Sequence, residues 1–85
     1  MKYSVYMILT KINNRYISYV GYTNNIHKRL TLHNSSKGAK FTKGKKWNLI
    51  FLKEFSSRIS AMKFEYFLKK DRKLRNSIKF NNIKK

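Results

Sequence analysis

Tyr3 to Thr10, YSVYMILT, is the stretch that leaves this chain the least choice. It is apolar on both faces of an extended backbone and rich in strand formers, so it reads as a buried strand. Around it there is little else to build with. Eighty-five residues allow one domain. A chain of that size buries only about 60–65% of the surface its unfolded form exposes, which implies a thin core of two layers. There is no cysteine to staple the fold, and the two histidines, His27 and His33, do not have a zinc-ligand spacing. Packing must hold the molecule together, and six Tyr, six Phe and one Trp are the obvious material.

The rest of the chain divides around that strand. Asn13-Asn14 is turn chemistry, and Tyr16 to Val20 (YISYV) reads as a second strand, ended by Gly21, so the chain opens on a β-hairpin. Asn24 is the expected cap of a helix over residues 25–34. Residues 35–46 are polar and basic with two glycines, which predicts a loop with room for one helical turn. Trp47 to Phe55 is a third strand. Ser57 is the expected N-cap of a helix from Arg58 to Lys70. Leu74 and Ile78, four apart, predict a short final helix. The order is ββαβαα, an α+β chain with a small sheet covered by helices. With no proline, internal repeat or Gly/Ser linker, residues 1–80 are expected to form a single domain, and residues 81–85 a frayed basic tail.

Charge narrows the partner. Lys and Arg number 21 against three acids, a formal net charge of +18. An AT-rich genome enriches Lys, Asn and Ile by drift, but drift alone rarely leaves only three acids. A field of this size seeks a polyanion, and nucleic acid fits better than an anionic membrane. No stretch approaches the roughly 18 apolar residues of a membrane span, and the first 15 residues lack the small-residue cleavage site of a signal peptide, so a cytoplasmic protein is expected. Lys37, Lys40, Lys43, Lys45 and Lys46 cluster in the loop around Phe41, and with Lys28 they are candidates for holding a duplex by its backbone, contacts that position without reading sequence. A merely solvated loop is the plainer alternative.

Two helices and the hairpin carry residues that packing alone does not call for. With a step of about 100° per residue, Leu32, Arg29, His33, Ile26 and Leu30 fall in one arc, so Arg29 and His33 sit inside an apolar face. Arg29 could snorkel there and His33 bond a carbonyl. Glu65 shares the chain's acid complement with Glu54 and Asp71, and lies three and four residues from Ala61, Met62, Leu68 and Lys69. It is either half of a surface pair with Lys69 or a ligand for a hard cation such as Mg²⁺, which binds through one or two carboxylates plus substrate phosphate and water. Tyr6 and Tyr19 fall on neighbouring strands, where core tyrosines with surface-reaching hydroxyls are the usual finding.

Taken in order, these residues form a pattern. Ser4-Val5-Tyr6 followed by Tyr19-Val20-Gly21 resembles the paired motifs that name the GIY-YIG nucleases. Tyr19 through Asn25, then Arg29-Leu30 and His33-Asn34, resembles the stretch that follows in the small stand-alone members. Gly38 to Thr42 (GAKFT) and Ala61 to Glu65 (AMKFE) resemble two further blocks. The resemblance runs from residue 3 to about residue 70. It implies a three-stranded antiparallel sheet flanked by helices, and an active site made of Tyr6, Tyr19, Arg29, His33 and Glu65. Ser4 stands where the first motif has glycine, a backbone-level position that a strand tolerates. Asn76 is a loose candidate for an asparagine that some members carry after the metal-binding glutamate. No appended DNA-binding domain accompanies the blocks, which argues against sequence-specific cutting.

The chemistry implied is metal-dependent hydrolysis of DNA phosphodiester bonds. Glu65 would hold one Mg²⁺ or Mn²⁺, Arg29 would stabilise charge building on the phosphoryl oxygens, and a tyrosine would activate water. An unperturbed tyrosine, with a pKa of about 10, is a poor base at neutral pH. Arg29, the metal and the positive field are expected to lower that value. His33 would take the tyrosine's proton or orient it, and Tyr6 is the tyrosine it more readily reaches. The other would position water or phosphate. Attack by the tyrosine itself is open in principle, though the resemblance argues for water. All five residues are expected to meet in one surface cleft. Duplex or branched DNA, a flap and RNA all stay open as substrates, as do a role in DNA repair or structure-selective cleavage and a partner protein that supplies specificity. A non-catalytic nucleic-acid-binding module on the same fold is the competing reading, and a structural ribosome-associated protein a third.

Overall fold

A computed structural model describes residues 2–83. In chain order the elements are β1 (Tyr3–Ile12), β2 (Arg15–Thr23), α1 (Ile26–Asn34), a single 3₁₀ turn (Lys40–Thr42), β3 (Asn48–Phe55), α2 (Arg58–Lys70) and α3 (Arg72–Ile83). The fold is α+β in the order ββαβαα, with one antiparallel sheet of strand order β2-β1-β3. β1 is central because it is the strand with two apolar faces, and Ser4 through Thr10 are all buried. Ile12 pairs with Arg15 across a two-residue loop, and Asn13 and Asn14 both take positive φ (50° and 66°). Asparagine tolerates that left-handed conformation, and loops of this kind match the twist of the strands they join.

Both faces of the sheet are covered, one layer more than the chain length suggested. On one face Tyr6 and Ile8 pack with Trp47 and, from β2 and α1, with Ile17, Tyr19, Ile26 and Leu30. On the other, Val5, Met7 and Val20 meet Ala61 and Leu68 of α2, joined by Phe51, Phe55, Phe64, Leu74 and Ile78. The alternation of side chains along β1 sends neighbouring residues to opposite layers.

Several boundaries differ from those expected. β2 does not stop at Gly21: it runs on to Thr23, and Gly21 pairs with Tyr6 inside the ladder. The cap of α1 is Asn25, not Asn24, since the Asn25 Oδ1 accepts from the Lys28 N–H at 3.1 Å. Ser57 caps α2 through the Ser60 N–H at 3.1 Å, with the bounds its sequence predicted. Asp71 does the same for α3 through the Leu74 N–H at 3.0 Å. α3 is longer than expected and runs to Ile83, into the segment expected to be a tail. The Asn82 side chain donates to the Ile50 carbonyl on β3 (3.3 Å) and to the Ile78 carbonyl (3.0 Å), which ties the last turn to the sheet. Lys84 and Lys85 of the expected tail lie outside the described residues. Among the described residues, no helix is long and apolar enough to cross a membrane.

Candidate active site

Tyr6 projects from the central strand over its neighbour Gly21. A Cβ at Gly21 would collide with the Tyr6 hydroxyl oxygen and Cζ, so the phenol lies where only glycine leaves room. The ring is 1% exposed. Its Oη lies 2.8 Å from Nε2 of His33, which is 0% exposed. The other imidazole nitrogen, Nδ1, lies 2.8 Å from the Thr42 hydroxyl, and that hydroxyl donates its proton to the Ala39 carbonyl at 2.8 Å. A hydroxyl has one proton to give. With it committed to Ala39, Thr42 must accept from His33, so Nδ1 carries the imidazole proton and Nε2 is free to accept from Tyr6. Gly38 backs the same ring, and a Cβ there would strike Nδ1. The loop is held in place from its far end. Asn34 brackets the Trp47 backbone, accepting its N–H at 2.6 Å and donating to its carbonyl at 3.3 Å, while the Trp47 indole donates to the Thr42 carbonyl at 3.0 Å.

Thr42 was not singled out in the sequence. It lay within the GAKFT block, but one threonine in a basic loop carries no sign of its partner.

Burial governs both proton-carrying groups. It pushes the His33 pKa down, helped by the Arg29 cation, so the imidazole is held neutral. It pushes the Tyr6 pKa up, and this outweighs the opposing pull of Arg29, while Tyr19 and Glu65 add to the rise. Arg29 acts in the expected direction, but in the protein alone the removal of the phenol from water outweighs it and the net shift is upward.

The remaining residues surround this pair. Tyr19 on β2 meets His33 edge-on (centroids 5.3 Å apart) and stacks on Phe41 (6.0 Å), whose ring is 51% exposed. Arg29 of α1 is half-buried, and its Nε is buried with no hydrogen-bond partner. Glu65 stands on α2, in the layer across the sheet from α1. Its side chain is 18% exposed and pairs with Lys69 at 3.6 Å. Lys69 lines a groove with Tyr19, Phe41 and Arg75, so the two layers meet over the outer edge of β2. Arg29, Tyr19 and Glu65 all lie close enough to Tyr6 for their charges to act on its phenol. Tyr6 and His33 form a buried centre, and Tyr19, Arg29 and Glu65 reach its surroundings from three elements.

The donor set bears on a metal. Among the described residues no three His, Cys, Asp or Glu side chains cluster. A lone, half-buried carboxylate fits a hard cation whose shell is completed by phosphate and water, and fits no all-protein cage. Of the candidate backbone contacts, Lys28, Lys37, Lys40, Lys43 and Lys46 are exposed. Lys45 differs: its ammonium donates to the carbonyls of Phe41 (3.0 Å) and Lys43 (3.4 Å) and serves the loop itself. Asn76 is exposed on α3.

The chain is similar to known proteins. A family model described as the GIY-YIG catalytic domain matches residues 2–79. The UPF0213 protein YazA of Bacillus subtilis is 51% identical over 53 residues, covering 61% of this chain and 54% of that protein. The UPF0213 protein SH2523 of Staphylococcus haemolyticus is 41% identical over 69 residues, 80% of each chain. The solution NMR structure of the UPF0213 protein BH0048 from Bacillus halodurans is 34% identical, covers 94% of this chain and 85% of that one, and superposes with a TM-score of 0.49. The chain's match spans little more than half the length of YazA.

Proposed function

Since the chain belongs to the GIY-YIG catalytic-domain family, we propose that it is a metal-dependent endonuclease that hydrolyses DNA phosphodiester bonds with water activated by Tyr6. The hydrogen-bonded line from Tyr6 through His33 to Thr42 is the observation that carries this reading. A phenol with a raised pKa is a weak acid and a strong base once deprotonated. His33, neutral and presenting a bare Nε2, is the group that can relieve it of its proton. As water attacks phosphorus and the bond to the leaving oxygen breaks, the water proton passes to Tyr6 Oη, the Tyr6 proton passes to His33 Nε2, and the leaving oxygen takes a proton from solvent. Thr42 keeps its hold on Nδ1–H throughout. Arg29 supplies charge to the phosphoryl oxygens. Tyr19 positions the water or the phosphate.

Glu65 would hold one Mg²⁺ or Mn²⁺. Such an ion offsets charge on the phosphoryl and leaving oxygens. The exposed lysines of the loop and Lys28 would grip duplex or branched DNA by its backbone, with RNA as an alternative substrate. Cytoplasmic repair or structure-selective cleavage, with specificity supplied by a partner protein, is the setting this would suit. The second reading, a non-catalytic basic module, is favoured by the Glu65–Lys69 pair, which occupies the carboxylate.

Single-turnover assays on supercoiled, linear and branched DNA with Mg²⁺, Mn²⁺ or EDTA separate the two. Wild type should cut only with metal. Glu65→Gln should lose cleavage yet bind DNA as well or slightly better, and Glu54→Gln, which removes an exposed acid that pairs with Lys2, should cut normally. Arg29→Ala should slow cleavage by about 10²–10³-fold. Cleavage by Glu65→Gln at the wild-type rate would sink the single-metal mechanism.

A further inference from the structure

A second cleft opens beside Arg29, of about 470 Å³, walled by Tyr3, Tyr22, Thr23, Asn24, Arg29 and Arg58. Two arginines from different helices, 29 positions apart in the chain, line it together. No acid lines it: Glu54, Glu65 and Asp71 are the chain's only carboxylate side chains, and none is among its walls. Two like charges turned toward one polar cavity repel unless an anion lies between them. Two further observations make the cleft a built one. The buried Arg29 Nε has no hydrogen-bond partner. The Arg58 Nε donates to the Tyr22 hydroxyl at 3.4 Å, which steers that side chain along β2 toward the cleft.

We propose that this cleft is a phosphate subsite in which Arg58 holds the phosphodiester next to the scissile one on the same strand. The inference rests on the nuclease reading for its position and not for its chemistry. Arg29 borders both places, so a strand whose scissile phosphate meets Arg29 brings its next phosphate into the cleft. A planar guanidinium suits that ligand, since its fork matches phosphate oxygens two at a time and an ammonium does not. Arg58 thereby gains a role beyond being the first residue of α2.

Inorganic phosphate is the first probe, titrated into the full chain while the Arg Nε–H resonances are followed by NMR. The Arg29 and Arg58 signals should move together and saturate, and Arg58→Gln should weaken the binding read at Arg29 by fivefold or more. Arg58→Lys should recover only part of it. An Arg58 signal that stays still while Arg29 saturates overturns the subsite. Cleavage is the second probe. Arg58→Gln should raise KM for an oligonucleotide about tenfold, with a smaller effect on bis(p-nitrophenyl) phosphate, which has no neighbouring phosphate. Equal losses on both substrates overturn the proposal, because Arg58 would then act on the scissile group. If wild type cuts neither substrate, the nuclease reading fails and the phosphate titration still decides whether the cleft binds phosphate.

Discussion

At Thr42 a single hydroxyl decides which nitrogen His33 offers to Tyr6. Replacing it with valine keeps the volume and removes the acceptor, which leaves a buried Nδ1–H unmet. The expected loss of stability is about 1–3 kcal/mol, the ordinary consequence of such an orphaned donor. Serine at that position should restore most of it. Acid adds a second effect, with a definite sign. The folded-state pKa of His33 is depressed, so between that value and the unfolded value of about 6.5 the unfolded chain binds more protons. Stability should therefore fall as pH drops below about 6.5 and level off below the folded-state pKa. Denaturant unfolding of wild type, Thr42→Val and Thr42→Ser from about pH 5 to 8 checks both effects. A wild-type stability that is flat would show that folding leaves the His33 pKa unshifted, and one that rises on acidification would show His33 to be charged in the fold.

The loop of residues 35–46 is the element on which the site depends, because it carries Thr42 and Phe41 to a face that α1 and β2 alone leave open. Its far end is anchored by Asn34 and Trp47. Asn34 takes both backbone groups of Trp47, and the indole reaches back to the Thr42 carbonyl. Asn34→Ala should free this end at a cost of about 1–3 kcal/mol. Trp47 is the only tryptophan and is 3% exposed, so its emission should shift to the red in the variant while the rest of the fold persists. Unchanged emission and unchanged protection of the Trp47 amide would show that the loop is held by other means. The neighbouring elements were legible to different degrees. Ser57 stood alone as a cap and set α2 correctly. At α1, two adjacent asparagines offered the same chemistry, and only the backbone geometry chose the second. Gly21 read as a strand end because glycine usually interrupts strands, whereas here it makes room for a phenol on the next strand.

Across the whole molecule, +18 is carried with few internal ion pairs to offset it. Glu54 pairs with Lys2 at 3.8 Å on the surface and Glu65 pairs with Lys69. Such a charge should bind DNA through counterion release. If the five exposed candidate lysines each neutralise one phosphate, log K should fall against log salt with a slope of about −4 to −5 on duplex DNA. Titrations between roughly 50 and 300 mM salt measure that slope. A flat response would remove the backbone-contact picture.

Local pattern by itself determined much here: a central strand apolar on both faces, a hairpin at Asn13-Asn14, a capped α2, the polyanion-seeking charge, and five residues spaced as in a known family. Those are properties of neighbouring residues and of the chain's sum, and they need no partner in space. Tertiary structure alone decided the chemistry between them. It buried Tyr6, which reverses the sign expected for its pKa. It set Thr42 against His33, nine positions away, and so chose the tautomer. It brought Glu65 near enough to Tyr6 for its charge to act on the phenol, and it set Arg58 in the wall of the cleft that Arg29 lines. Desolvation and hydrogen-bond direction depend on what lies next to a group in space, and sequence order leaves that neighbour unspecified.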